Sequence, residues 1–113
     1  MYFVDNYSKI SYTREEEGKP GLRKAQLGAV HAIAAHYSIS HQSGASVVIM
    51  PTGSGKSAVM MMAPYVLAAK KLLVVVPSVM LRGQLNEGFK TLELLKKCHV
   101  VPDDMPLPNA HVR

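Results

Sequence analysis

The chain has 113 residues, 48% hydrophobic and 19% charged, a balance that suits one small globular domain and excludes a second domain or disorder over most of its length. Thirteen lysines and arginines against eight carboxylates give a formal charge of +5, which suits a polyanionic partner, although the positive charge is spread along the chain without a block. A lone cysteine, Cys98, excludes an internal disulfide, and the absence of signal-peptide and membrane-spanning patterns predicts a cytoplasmic protein.

Residues 1–20 read as an N-terminal extended arm, with Tyr2, Tyr7 and Tyr12 among polar residues and Glu15-Glu16-Glu17 before Gly18-Lys19-Pro20. The tyrosines recur at neither a helix nor a strand period, so they do not form a stacking platform. Residues 21–113 form the domain. From Leu22 to about Tyr37, the apolar positions Leu22, Ala25, Ala29, Ile33 and Tyr37 fall at helical spacing and predict an amphipathic helix. A polar loop over 38–44 leads to Ala45–Met50, a short apolar run of the kind buried on both faces of a parallel sheet.

Between that run and the next helix stands Met50-Pro51-Thr52-Gly53-Ser54-Gly55-Lys56-Ser57. It reads as a phosphate-binding loop. Its glycines let the backbone fold tightly and aim N–H groups at phosphate oxygens, helped by the positive end of the following helix. Lys56 reaches the β- and γ-phosphates, and the Ser57 hydroxyl reaches Mg²⁺. The general pattern places a glycine where this chain has Met50. A plain Gly/Ser turn ending in Lys-Ser is the bland alternative, and the apolar run before the loop argues against it.

The helix expected from Gly55 to about Ala69 contains Pro64, which kinks or shortens it, and Met60, Met61 and Met62 read as adaptable core packing. Leu72–Val76 is the second expected strand, ended by Pro77. Another helix is expected from Leu81 to about Lys97, with Leu81, Leu85, Phe89 and Leu92 along one side. Pro102, Pro106 and Pro108 preclude a continuous helix or central strand in the tail. Strand, loop, helix and strand in this order predict an α/β fold, a short parallel sheet flanked by helices.

Pro51-Thr52-Gly53-Ser54-Gly55-Lys56-Ser57 resembles the loop of superfamily 2 helicases and translocases, in which the first glycine is commonly replaced. Leu22-Arg23-x-x-Gln26 ahead of an apolar helix resembles their adenine-recognition element, where an amide can accept from the adenine amino group and donate to a ring nitrogen. Leu73 to Gln84, a strand ending in Pro77-Ser78 and then Leu81-x-x-Gln84, resembles the element that touches the nucleic-acid backbone. Taken without the loop, Arg-x-x-Gln is ordinary helix polarity and Ser78 is a helix cap. The three elements together are similar to DEAD/DEAH-type helicases, with restriction-enzyme-type helicase subunits nearest and RecQ-like helicases next.

That resemblance implies the N-terminal part of a RecA-like ATP-binding domain, comprising the adenine-recognition helix (22–37), the phosphate loop (50–57) and the nucleic-acid segment (76–84). It implies ATP and Mg²⁺ as cofactors, with Arg23, Gln26, Thr52, Gly53, Ser54, Gly55, Lys56 and Ser57 on the nucleotide. Lys56 takes the catalytic role and Ser57 the metal. Pro77, Ser78 and Gln84 contact nucleic acid, expected to be DNA.

A motor also needs an acidic pair for Mg²⁺ and water and arginines from a second domain. Asp103-Asp104 follows Val100-Val101, but Pro102 interrupts that run and the pair reads as turn chemistry. His31, His36 and His41 do not share one helix face, so no metal site is expected. The expectation is therefore part of a longer ATP-hydrolysing helicase, inactive alone, whose uncovered sheet edge meets the rest of that protein or a second copy. The alternative is a noncatalytic nucleotide-binding or interaction module with a degenerate loop.

Overall fold

A computed structural model describes residues 1–40, 47–50, 53 and 55–110, with only the backbone at 39 and 40. Among these residues five helices follow in order: α1 (Tyr2–Asn6), α2 (Lys24–Ser40), α3 (Lys56–Val66), α4 (Val79–Thr91) and α5 (Glu93–Lys97), with a 3₁₀ turn at Tyr7–Lys9 after α1. Among the described residues there is no β-strand and no sheet. This corrects the α/β, RecA-like expectation. Residues 47–50 and 72–76 carry no regular structure, and Val47, Ile49, Leu73 and Val75 are each more than 80% exposed. An apolar run becomes a strand only when neighbouring chain satisfies its N–H and C=O groups, whereas a helix satisfies its own. The described residues offer these runs no ladder partner. Bridges occur only singly, Arg14 with Leu22 and Glu16 with Lys19, the latter closing a turn with Gly18 at φ 74°.

Helix α3 is central, with Ala58, Val59, Met61, Met62, Pro64 and Tyr65 all buried. Pro64 sits in its last turn, where the helix stops two residues later. Ala68 takes a left-handed φ of 47°, its N–H donates to the Tyr65 carbonyl at 3.1 Å, and that of Ala69 donates to Pro64 at 2.9 Å. This paired closure satisfies carbonyls that the helix end leaves open.

Helix α2 packs on α3 with Leu22 and Ala29 buried and Ile33 against the core, as expected, but Gln26 and Val30 are buried beside them while Ala25 is exposed. The spacing Gln26, Ala29, Val30, Ile33 is still that of one helical face, with an amide at an apolar position. The long helix expected over 81–97 divides at Leu92, whose φ is 54° and whose side chain is fully buried. Ser78 caps α4, accepting from the Leu81 N–H at 3.4 Å. Helix α5 ends as α3 does, with His99 at φ 57° and Val100 N–H on the Leu95 carbonyl at 2.9 Å.

The first residues are helical and docked where an extended arm was expected. Phe3 is buried and meets Tyr65 edge-on at 4.9 Å between ring centroids, and Tyr2 meets the same ring at 5.8 Å. Tyr2 Oη donates to the Pro106 carbonyl, so its bond of 3.0 Å with Tyr65 Oη is donated by Tyr65. Burial pushes both hydroxyls above the usual tyrosine value. Further along, Ser11 N–H donates to Val100 at 2.6 Å and Thr13 Oγ1 to His99 at 2.8 Å. Val100, Val101 and Met105 complete the core.

Candidate functional site

The loop meets α3 at Gly55, whose left-handed backbone (φ 86°, ψ 43°) turns the chain into the helix. The N-cap is Gly55, which has no side chain to accept, so among the described residues no side chain accepts from the first N–H groups of the helix. Lys56 and Ser57 are the first two helical residues, both exposed, and Lys56 makes no ion pair with a described residue. Gly53 is likewise left-handed at φ 81°. Thr52 and Ser54 lie outside the described residues.

Arg23 and Gln26 come to this loop from the start of α2. Arg23 Nη1 donates to the Gly53 carbonyl at 3.0 Å, and Gln26 Nε2 donates to the Gly55 carbonyl at 3.1 Å. The other end of the Gln26 amide accepts from the Arg23 N–H at 2.8 Å. Gln26 is the third residue of α2 and thus supplies the return half of a capping box, satisfying a donor at the helix start. That signal is legible in the sequence once the helix start is known. A side chain at Gly55 is disfavoured by the left-handed φ of 86°, and its Cβ, 2.0 Å from Gln26 Nε2, would displace the Gln26 amide.

The structure therefore brings Arg23 and Gln26 to Gly53 and Gly55, beside Lys56 and Ser57. Pro77, Ser78 and Gln84 occupy the entry and exposed side of α4, and no hydrogen bond among the described residues links them to the loop. An open hollow beside Arg23 is lined by Glu15, Glu16 and Glu17 with Arg14 and Lys24, and its carboxylates suit a polyphosphate poorly.

Asp103 and Asp104 are the exposed middle of a turn closed by Met105 N–H on the Pro102 carbonyl at 3.1 Å. No group of three His, Cys, Asp or Glu among the described residues could hold a metal ion. His31 stacks on Tyr12 at 5.0 Å, and His41 lies outside the described residues. Burial pushes the Cys98 thiol up, away from the thiolate form that reacts. No helix of the described residues is long and apolar enough to cross a membrane.

The class is that of superfamily 2, DEAD/DEAH-like helicases, which are ATP-dependent. The model of the type III restriction enzyme, res subunit, matches residues 19–103, and the chain belongs to that family. The match takes in Arg23, Gln26, the loop and the Pro77 to Gln84 segment. No curated protein and no solved structure matches the chain.

Proposed function

We propose that this chain holds the nucleotide of an ATP-dependent nucleic-acid motor. The observation that carries the reading is the left-handed Gly55 turn into the start of α3, where no described side chain accepts the first N–H groups and Lys56 and Ser57 are exposed at the first two positions. Backbone N–H groups and an ammonium at a helix start are the donors that a triphosphate needs. The donor set fits ATP. Lys56 and the loop N–H groups would bind the phosphates, with Thr52 and Ser54 of the same motif. Ser57 would supply one hydroxyl ligand to Mg²⁺, whose charge neutralises phosphate oxygens when it is bound. Arg23 and Gln26 belong to the set through the loop they hold.

Pro77, Ser78 and Gln84 form the proposed contact with the backbone of nucleic acid, expected to be DNA, through a hydroxyl, an amide and the start of α4. The turn position of Asp103 and Asp104 favours binding over hydrolysis by these residues alone, and a noncatalytic nucleotide-binding module is the second reading.

Titration with a fluorescent ATP analogue and Mg²⁺ tests the proposal. The unmodified chain is expected to bind and Lys56→Ala to bind at least tenfold more weakly, the loss of one charged phosphate contact. Equal binding by the two proteins would overturn it. Lys56-dependent ATP turnover would retire the second reading.

A further inference from the structure

We infer that residues 1–12 form a latch that opens and closes as one unit and, while closed, holds the proline-rich tail. Its root is Thr13. Leu22 N–H donates to the Thr13 carbonyl at 2.7 Å, Glu15 N–H to the Leu22 carbonyl at 2.9 Å and Thr13 Oγ1 to the His99 carbonyl at 2.8 Å, and Leu22 itself is fully buried. Ahead of that root only Phe3 and Asn6 are buried.

The Asn6 amide donates to the Tyr2 carbonyl at 2.8 Å and the Met1 ammonium pairs with Asp5 at 3.0 Å, so both contacts lie inside the latch and travel with it. The latch meets the rest of the molecule through Phe3 and Tyr2 on Tyr65, Ile10 half-buried against the core, Ser11 N–H on the Val100 carbonyl at 2.6 Å, and Tyr12 stacked on His31 at 5.0 Å. Phe3 is the main apolar anchor. Opening uncovers the carbonyls of Val100 and Pro106, which can then bond to water. A segment with few buried groups and hydrogen bonds near solvent opens at a lower free energy than the core.

The tail depends on the same contacts. Pro102, Pro106 and Pro108 supply no N–H, so this stretch offers mostly carbonyls and needs a donor from elsewhere. Tyr2 Oη is that donor. Among the described residues its bond to the Pro106 carbonyl is the one hydrogen bond that reaches residues 106–110, where Leu107 and Asn109 are exposed and Ala110 packs partly on the core. Tyr65 donates to the Tyr2 oxygen, so the Tyr2 hydroxyl is aimed at Pro106 only while α1 is docked. Opening the latch therefore releases the tail as well.

Amide hydrogen exchange tests the latch. In the unmodified chain, Ser11 N–H is expected to be at least tenfold less protected than Met62 N–H inside α3. Phe3→Ala should lower the protection of Ser11 by tenfold or more, eight residues from the substitution, with the chain still helical by circular dichroism. Tyr2→Phe keeps the ring on Tyr65 and removes the donor to Pro106. It should free Leu107 and Asn109, read as ¹⁵N order parameters falling below about 0.6, and lower the protection of Ser11 less than Phe3→Ala does. Protection of Ser11 equal to that of Met62, or unchanged by Phe3→Ala, overturns the latch. A tail as rigid in Tyr2→Phe as in the unmodified chain overturns its hold on the tail. The comparison of Ser11 with Met62 needs no variant and decides the matter even where Phe3→Ala does not fold.

Discussion

Helix α3 and the runs at 47–49 and 72–75 are similarly apolar, yet Tyr65 and Met62 are fully buried while Ile49 is 90% and Leu73 86% exposed. The difference lies in where each segment finds partners for its backbone. A helix closes its own hydrogen bonds and can then turn any face toward a neighbour; an extended run must borrow its partners first. Hydrophobicity alone thus does not decide what enters the core.

Tyr65→Ala is the strongest test of that contrast. It removes a ring that packs against Phe3 and Tyr2, and it is expected to cost about 3–5 kcal/mol in urea unfolding. A loss under about 1 kcal/mol would mean that the α1–α3 contact contributes little. Next comes Gly21→Ala, whose Cβ would lie 2.6 Å from the Arg14 carbonyl carbon. Backbone on both sides leaves little room to yield, and the expected cost is about 1–3 kcal/mol by the same assay.

Tyr65→Phe keeps the ring and removes only the donor to Tyr2, for about 1 kcal/mol. It also has a pH signature. Burial holds both hydroxyls above the usual value near 10, so the folded state binds their protons more tightly than the unfolded state. Their stabilisation is complete below about pH 10 and is lost as pH rises through the folded values. Alkaline unfolding of Tyr65→Phe should therefore be less steep than that of the unmodified chain. Unchanged steepness would separate the hydroxyl pair from stability.

Ala68→Gly works in the other direction. Ala68 is left-handed at φ 47°, and relieving that strain should raise stability by about 0.5–1 kcal/mol, measured as a higher urea midpoint. The exposed runs should give the smallest effect: Ile49→Ser and Leu73→Ser are each expected within about 0.5 kcal/mol of the parent. A loss as large as that of Tyr65→Ala would erase the contrast between the two regions.

The motif was the most legible part of this sequence, because glycines followed by Lys56 and Ser57 carry chemistry in fixed order. Helix α2 was legible from its spacing and α3 from its place after the loop, as were the shortening at Pro64 and the cap at Ser78 from their residue types. The burial of Gln26 in place of Ala25 was not, because an amide takes an apolar position when it has two backbone partners. The strands were misread for a physical reason: Val47-Val48-Ile49 and Leu72 to Val76 have strand composition, but composition cannot supply a ladder partner. The docking of Tyr2 and Phe3 depends on Tyr65 and Pro106, far along the chain, and no local pattern announces it. Left-handed Leu92 and His99 were equally hidden, since neither is glycine.

The hydroxyl pair that joins Tyr65 through Tyr2 to the Pro106 carbonyl spans 104 positions of chain. During synthesis, the acceptor for Tyr2 is made long after Tyr2 itself. At about 5–20 residues per second, α1 waits on the order of 5–20 s before that contact can form. Phe3 meets its own partner, Tyr65 of α3, earlier, so it is the Tyr2 hydroxyl that waits for the tail. The time before the Tyr2 hydroxyl reaches Pro106 is thus set by translation, and a slower ribosome lengthens it.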